Sequence, residues 1–136
     1  MSEASPLSQL PYQVTHQEFL RTAGSVAEGG ACCVFVIDDA IPAAARAGYA
    51  GLVIAFARAD EPVYIPDDGS ATLLIRAGGV DAGRIAAGRV IGQLRRFALH
   101  QTLRAAVAPL DADADAAVAR ARAAAESAPP GDVVLG

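Results

Sequence analysis

The sequence predicts an α+β domain with a ferredoxin-like β-α-β-β-α-β core. An additional helix precedes this core, and a helix with a short strand follows it. Three features support the prediction: one short valine-rich apolar run, two further apolar runs around an acidic turn, and helical repeats on both sides of that turn. The predicted order α-β-α-β-β-α-β-α-β contains this split β-α-β-β-α-β unit, and the unit predicts an antiparallel sheet with helices on one face.

Length and composition limit the classes of protein to consider. The chain has 136 residues, which fits one domain, and 53% of them are hydrophobic, which is enough for a packed core. The net charge is −4, and all eleven basic residues are arginines. A negative chain is a poor nonspecific nucleic-acid binder. No apolar run is long enough to span a membrane and no signal segment begins the chain, so we expect a cytoplasmic protein without nucleic-acid or membrane partners.

The first elements follow from capping signals and hydrophobic runs. Residues 1–12 are polar and rich in proline and serine, and we expect a flexible tail before a domain over residues 13–136. Thr15 and Glu18 form a capping box, which predicts a helix that begins after Thr15. The apolar run Ala31–Ile37 predicts a buried central strand. Its adjacent cysteines would point to opposite faces of the sheet, as buried free thiols without a metal partner.

The remaining elements alternate between helix and strand. Pro42 suits the first turn of a helix, Gly69 suits a tight turn, and Asp81 suits the positive end of a helix. These signals and the apolar periodicity predict helices over 42–57, 80–97 and 111–128, a hairpin with strands over 62–65 and 71–76, and strands over 101–110 and 133–135.

This order of elements, with the residues that end them, resembles the GGDEF domain of diguanylate cyclases. In that family a strand ends in an aspartate, as the first strand here ends at Asp38. The strand Ala71–Ile75 and the helix after it resemble the family's elements after the signature motif, and Asp113–Gly136 resembles the family's C-terminus. The segment Arg58-Ala59-Asp60-Glu61 resembles the family's inhibitory Arg-x-x-Asp motif and precedes the turn by the usual spacing.

The signature motif itself is replaced. Its positions fall on Asp67-Asp68-Gly69-Ser70-Ala71, so carboxylates stand where the family has glycines that approach the nucleotide. Neither glycine nor serine in the next positions is a good magnesium ligand. Asp38 matches the family's metal-binding aspartate, which makes Asp38, Asp67 and Asp68 relic active-site positions. The chain contains no asparagine for guanine recognition, and the interval from Asp38 to Asp67 is shorter by about a helix.

The resemblance therefore implies a catalytically inactive GGDEF-like domain of bacterial signalling. It would act by binding, either to cyclic di-GMP or to a protein partner or second copy, without a resident cofactor; magnesium enters only with residual nucleotide binding. The implied ligand residues are Arg58 and Glu61 of the inhibitory motif, with Arg95 as a further phosphate contact. The implied partner surfaces are the small-residue helices over 80–97 and 113–128.

Other interpretations stay open. Arg58 and Glu61 also fit an ordinary ion pair at a helix end, and the acids near Asp38 and Asp67 fit a helix cap and a turn. A diverged cyclase or another nucleotidyl-transferring enzyme would use Asp38 with Asp67 or Asp68. A third alternative is a structural interaction or dimerisation module without a ligand.

Overall fold

A computed structural model of the chain describes residues 13–26, 29–38, 40–58, 61–66, 70–111 and 113–136. The predicted tail over residues 1–12 and the turn residues Asp67, Asp68 and Gly69 lie outside the described residues. The elements in chain order are β1 (Gln13–Val14), α1 (His16–Ser25), β2 (Ala31–Ile37), α2 (Ala43–Phe56), β3 (Val63–Tyr64), β4 (Ala71–Ile75), α3 (Gly79–Arg95), a 3₁₀ turn (His100–Thr102), β5 (Leu103–Pro109), α4 (Ala114–Glu126) and β6 (Val133–Leu135).

The six strands form one mixed sheet in the order β1-β3-β4-β2-β5-β6. The four inner strands are antiparallel to one another, as the split unit predicts, with Phe35 of β2 opposite both Ala71 of β4 and Ala105 of β5. The two outermost strands, β1 and β6, are parallel to β3 and β5. The inner antiparallel arrangement is therefore confirmed, and the parallel edge strands are an addition to it.

Helices cover both faces of this sheet. Helices α2 and α3 pack on the face that carries Cys33 and Phe35, whereas α1 and α4 pack on the face that carries Cys32 and Val34. The expectation of helices on one face holds for α2 and α3, the two helices of the split unit, whereas α1 and α4, which lie outside that unit, cover the other face. With both faces covered, β2 is buried along almost its whole length, which explains its continuous apolar sequence.

The adjacent cysteines behave as the strand geometry predicts. Both are free, fully buried and on opposite faces of β2. Burial raises the pKa of the Cys32 thiol to about 11 and also raises the pKa of Cys33. Cys33 donates a hydrogen bond to the carbonyl of Gly83 at 3.2 Å, because α3 approaches the sheet closely at that glycine.

Most predicted elements are present with shifted ends. The capping box of Thr15 and Glu18 opens α1, with both reciprocal hydrogen bonds formed. The strand predicted from Gln101 begins at Leu103, after the 3₁₀ turn. Strand β1 was not predicted. Among the described residues, no helix is both long and apolar enough to cross a membrane.

Candidate functional site

The residues of the predicted inhibitory motif lie between the end of α2 and the start of β3. Arg58 lies two residues after the end of α2 and its side chain is exposed, whereas Glu61 is only 7% exposed. Asp60, between them, lies outside the described residues. The two ends of the motif therefore meet different surroundings: the arginine faces solvent and the acid faces the interior.

Glu61 makes its hydrogen bonds within the protein. Its Oε1 atom accepts the backbone N–H of Arg58 at 2.7 Å and forms an ion pair with the guanidinium of Arg89 on α3. The Nε of Arg89 donates to the carbonyl of Phe56 at 3.2 Å, at the last residue of α2. This network, the Glu61–Arg89 tie, connects the end of α2, the loop before β3 and the middle of α3.

A cavity of about 320 Å³ lies beside this tie, and we refer to it as the α2–α3 cavity. Arg58, Arg76 and Arg89 contribute positive charge to its wall, and Ile75 and Ile85 contribute apolar surface. The carboxylate of Glu61 is also part of the wall, where its charge is matched by Arg89. This combination suits an anionic ligand that also has a planar apolar face.

The third predicted ligand residue has a different location. Arg95 is exposed in the last turn of α3 and does not line the α2–α3 cavity; Arg89, six residues earlier, does. The helical spacing of apolar residues in α3 could have identified Arg89 as a cavity residue. Ala82, Ile85 and Arg89 recur at spacings of three and four, so they share the face of the helix that borders the cavity.

Asp38 lies at the end of β2, as predicted, but its carboxylate already has partners. Oδ1 accepts the backbone N–H of Ala40 at 2.8 Å, and Oδ2 lies 3.8 Å from the guanidinium of Arg104 on β5. No group of three or more histidine, cysteine or acidic residues that could hold a metal ion occurs within the described ranges.

Asp67 and Asp68 are the remaining predicted active-site positions, and both lie outside the described residues. Their part in a site stays a prediction. Ser70, the next described residue, is buried immediately before β4.

Comparisons with known proteins identify the fold. No family model matches the sequence, and no curated protein matches it significantly. The GGDEF domain of FimX from Pseudomonas aeruginosa superposes with a TM-score of 0.67 and 14% identity, covering 100% of both chains. The GGDEF domain of TpbB (YfiN) from the same organism gives a TM-score of 0.67 and 16% identity, with 93% of this chain and 92% of that chain covered.

A third similar structure is that of a microbial GGDEF domain described in a novel interaction mode with cyclic di-GMP. It gives a TM-score of 0.56 and 15% identity, and covers 93% of this chain and 96% of that chain. At such low identities the likeness concerns the fold. The chain has the mixed α+β fold of GGDEF domains over nearly its full length.

Proposed function

We propose that this chain is a catalytically inactive GGDEF-like signalling domain that acts by binding, with cyclic di-GMP as the ligand of the α2–α3 cavity. The observation that carries the proposal is the position of exposed Arg58 at the mouth of a cavity with both guanidinium and apolar walls. The fold and the resemblance of the motif around Arg58 support a role in bacterial second-messenger regulation. One structurally similar domain is described with this same dinucleotide.

The chemistry of the cavity suits one half of the dinucleotide. A guanidinium binds a phosphodiester or the acceptor edge of guanine through paired N–H donors. Ile75 and Ile85 offer apolar surface to the face of the base. The volume of about 320 Å³ is at the small end of ligand pockets, so we expect one guanine and its phosphate to enter.

The proposal assigns different roles to the two ends of the motif. Arg58 contacts the ligand, whereas Glu61 and Arg89 hold the loop that presents it. The carboxylate of Glu61 accepts both of these donors at Oε1 and is only 7% exposed, whereas Arg58 is exposed beside the cavity. We therefore place the ligand contact of this motif on its arginine.

Calorimetric titration with cyclic di-GMP tests the site. We expect saturable binding to the wild type and a loss of about tenfold or more in affinity for Arg58→Ala, the size expected for one charge-assisted contact. Arg95→Ala is the matched control, because Arg95 is exposed on α3 away from the cavity, and we expect its affinity to equal that of the wild type. Absence of binding by the wild type, or equal affinity in Arg58→Ala, would remove the proposed site.

The catalytic inactivity is a separate part of the proposal. It is supported by the replaced signature motif and by the contacts of Asp38 with Arg104 and with a backbone N–H. The competing enzyme would use Asp38 with Asp67 or Asp68. Incubation with GTP and Mg²⁺, followed by chromatography, distinguishes the two: we expect no cyclic di-GMP, and its formation would overturn the assignment of an inactive domain.

A protein-interaction module is the second candidate, and the exposed face of α3 favours it. Ile85 is 70% exposed, an unusual state for a large aliphatic side chain on an otherwise well-packed helix. The small-residue face of α4 is not available for this role, because Ala117, Ala121 and Ala125 are buried against the sheet.

Sedimentation over a range of concentrations tests self-association through α3. If a second copy binds this face, the wild type will associate and Ile85→Ser will remain monomeric. Leu135→Ser provides the control, since Leu135 is also an exposed aliphatic residue but lies on β6. If the chain stays monomeric at every concentration, self-association through α3 is excluded, and an interaction module would have to bind a different protein.

A further inference from the structure

The turn that follows α3 carries an exposed aromatic side chain next to two basic ones. Phe97 is 63% exposed and belongs to neither of the two core clusters. Arg95 and Arg96 precede it and are also exposed, and neither guanidinium has an ion pair or hydrogen bond among the described residues. We refer to these three residues as the α3-end patch. Aromatic residues and arginine are the types that are enriched where proteins bind one another.

Backbone hydrogen bonds fix the conformation of this patch. The N–H of Leu99 donates to the carbonyl of Leu94 at 2.9 Å, and the N–H of Ala98 donates to the carbonyl of Arg95 at 3.1 Å. This pair of bonds ends a helix when the next residue is left-handed, and Ala98 has a φ of 60°. Leu99 packs against the core, whereas Phe97 stays exposed. The aromatic ring is therefore presented on an ordered turn, which lowers the entropy lost when it binds a partner.

A pocket of about 390 Å³ lies between α1 and the start of α4, and we refer to it as the α1–α4 pocket. Its described lining consists of small or apolar residues and three carboxylates, without a basic side chain: Leu20, Ala23, Gly24 and Ala114, with Asp111, Asp113 and Asp115. Gly24 leaves open space in this lining, because a Cβ atom there would meet nothing within 4 Å.

The carboxylates of this pocket remain accessible. Asp111 pairs with Arg120 at 3.2 Å and Asp115 with His16 at 3.0 Å, yet their side chains are still 52% and 58% exposed. Asp113 is also exposed, and it caps α4 through one of its oxygens, Oδ1. An apolar recess edged by accessible carboxylates is complementary to an aromatic ring beside two guanidinium groups.

We propose that the α3-end patch of one copy of this chain binds in the α1–α4 pocket of a second copy. Phe97 enters the recess beside Gly24, and Arg95 and Arg96 pair with the carboxylates at its edge. A second copy is the partner because one chain carries both complementary surfaces.

The positions of the two surfaces make this contact head-to-tail. The patch precedes β5 and the pocket follows it, so the seven residues of Leu103–Pro109, about 20 Å of strand, separate them. Helices α3 and α4 also pack on opposite faces of the sheet. The patch therefore cannot reach the pocket of its own molecule. Each added copy leaves one patch and one pocket free, so association continues beyond a dimer.

Sedimentation of the whole chain at concentrations up to about 1 mM tests the proposal. We expect the average mass of the wild type to rise past that of a dimer, whereas Phe97→Ser and Gly24→Leu each remain monomeric. Phe97 is exposed and Gly24 borders open space, so neither substitution disturbs the core. Gly88→Leu is the matched control for Gly24→Leu, because Gly88 also borders open space on a helix but does not line the pocket, and we expect it to associate like the wild type.

A mixture of the two monomeric variants tests the head-to-tail geometry directly. Phe97→Ser keeps an intact pocket and Gly24→Leu keeps an intact patch, so one contact can form between them and no further copy can be added. We expect the equimolar mixture to sediment as a dimer whose size does not grow with concentration. A symmetric dimer through the face of α3 that carries Ile85 would not be restored by this mixing.

Each outcome decides the proposal. A wild type that is monomeric at about 1 mM, a wild type that stops at a dimer, unchanged association in either variant, or no complex in the mixture would overturn it. Association that is lost in Ile85→Ser and kept in Phe97→Ser would assign the contact to α3 instead. Phe97 and Gly24 do not line the α2–α3 cavity, so this proposal and that of dinucleotide binding fail separately.

Discussion

At the scale of single residues, Glu61 connects three parts of the chain through one carboxylate. It accepts the N–H of Arg58 and pairs with Arg89, which also bonds the end of α2. Glu61→Ala leaves the guanidinium and the N–H without this partner in a mostly buried position. We expect the free energy of unfolding to fall by about 2 to 3 kcal/mol, measured by urea denaturation.

Glu126→Ala is the matched control for that prediction. Glu126 also pairs with an arginine, but on the exposed surface of α4, and we expect its loss to change stability by less than about 0.5 kcal/mol. Equal effects of the two substitutions would show that the Glu61–Arg89 tie stabilises no more than a surface pair.

The two buried cysteines predict a loss of stability at alkaline pH. Burial raises the pKa of Cys32 to about 11 and raises the pKa of Cys33, so both thiols keep their protons while the unfolded chain loses them. Stability is then complete below the pKa of the unfolded thiol and falls as pH rises above about 8.5, by about 1 kcal/mol per thiol near about pH 9.5.

Urea denaturation as a function of pH measures this effect. We expect the double variant Cys32→Ala/Cys33→Ala to be less stable by a constant amount and to lack the part of the alkaline slope that belongs to the thiols. The chain contains no lysine, so amino side chains do not contribute in this range. An unchanged slope in the double variant would contradict burial as its cause.

At the scale of elements, the position of α3 depends on a close approach at Gly83. A Cβ atom there would lie 2.5 Å from Cγ1 of Val107 on β5, whereas a Cβ atom at Gly88 of the same helix would meet nothing within 4 Å. We expect Gly83→Ala to destabilise the fold by about 1 to 3 kcal/mol and Gly88→Ala to stabilise it by about 0.5 to 1 kcal/mol. Opposite signs in thermal unfolding would confirm the close contact, and a neutral Gly83→Ala would refute it.

The sequence predicted elements where a local signal is strong and missed them where the signal is not local. The capping box of Thr15 and the apolar run of β2 each carry their own information, and both elements are confirmed. Strand β1 has only two residues, so its sequence shows no alternation of apolar and polar residues. It forms by parallel pairing with β3, a contact that is distant in sequence. Arg89 was not predicted as a cavity residue. The prediction followed the basic residues at the end of α3, which include Arg95, and did not use the helical spacing that Arg89 shares with Ile85.

At the scale of the whole molecule, stability should decrease from the centre of the sheet to its edges. Strands β2 and β5 lie inside the sheet, between packed helices, whereas β1 and β6 are short strands at its margins. We expect the slowest amide hydrogen exchange in Ala31–Ile37 and Leu103–Pro109, and early exchange in both edge strands. Edge strands that exchange as slowly as the centre would indicate that something else covers the margins.

The arrangement of helices on both faces was the main feature of the whole fold that sequence reasoning did not capture. The antiparallel inner sheet follows from the order of elements alone. Which face α1 and α4 would cover does not, because both helices lie outside the split unit and their packing depends on side chains far away in sequence. The apolar sequence on both faces of β2 contained this information, since Cys32 and Cys33 each need a covered surface.

The two contacts of Glu61 predict which residues of the motif are retained during evolution. Selection for a stable fold preserves Glu61 and Arg89 whether or not a nucleotide ever binds. Arg58 has an exposed side chain, and no such ion pair of it is found among the described residues, so under the proposed function its retention depends on binding of the dinucleotide. If the proposed binding is lost in a related protein, we therefore expect Arg58 to be replaced before Glu61. A related protein that keeps Glu61 without the arginine would then have kept the fold without the binding.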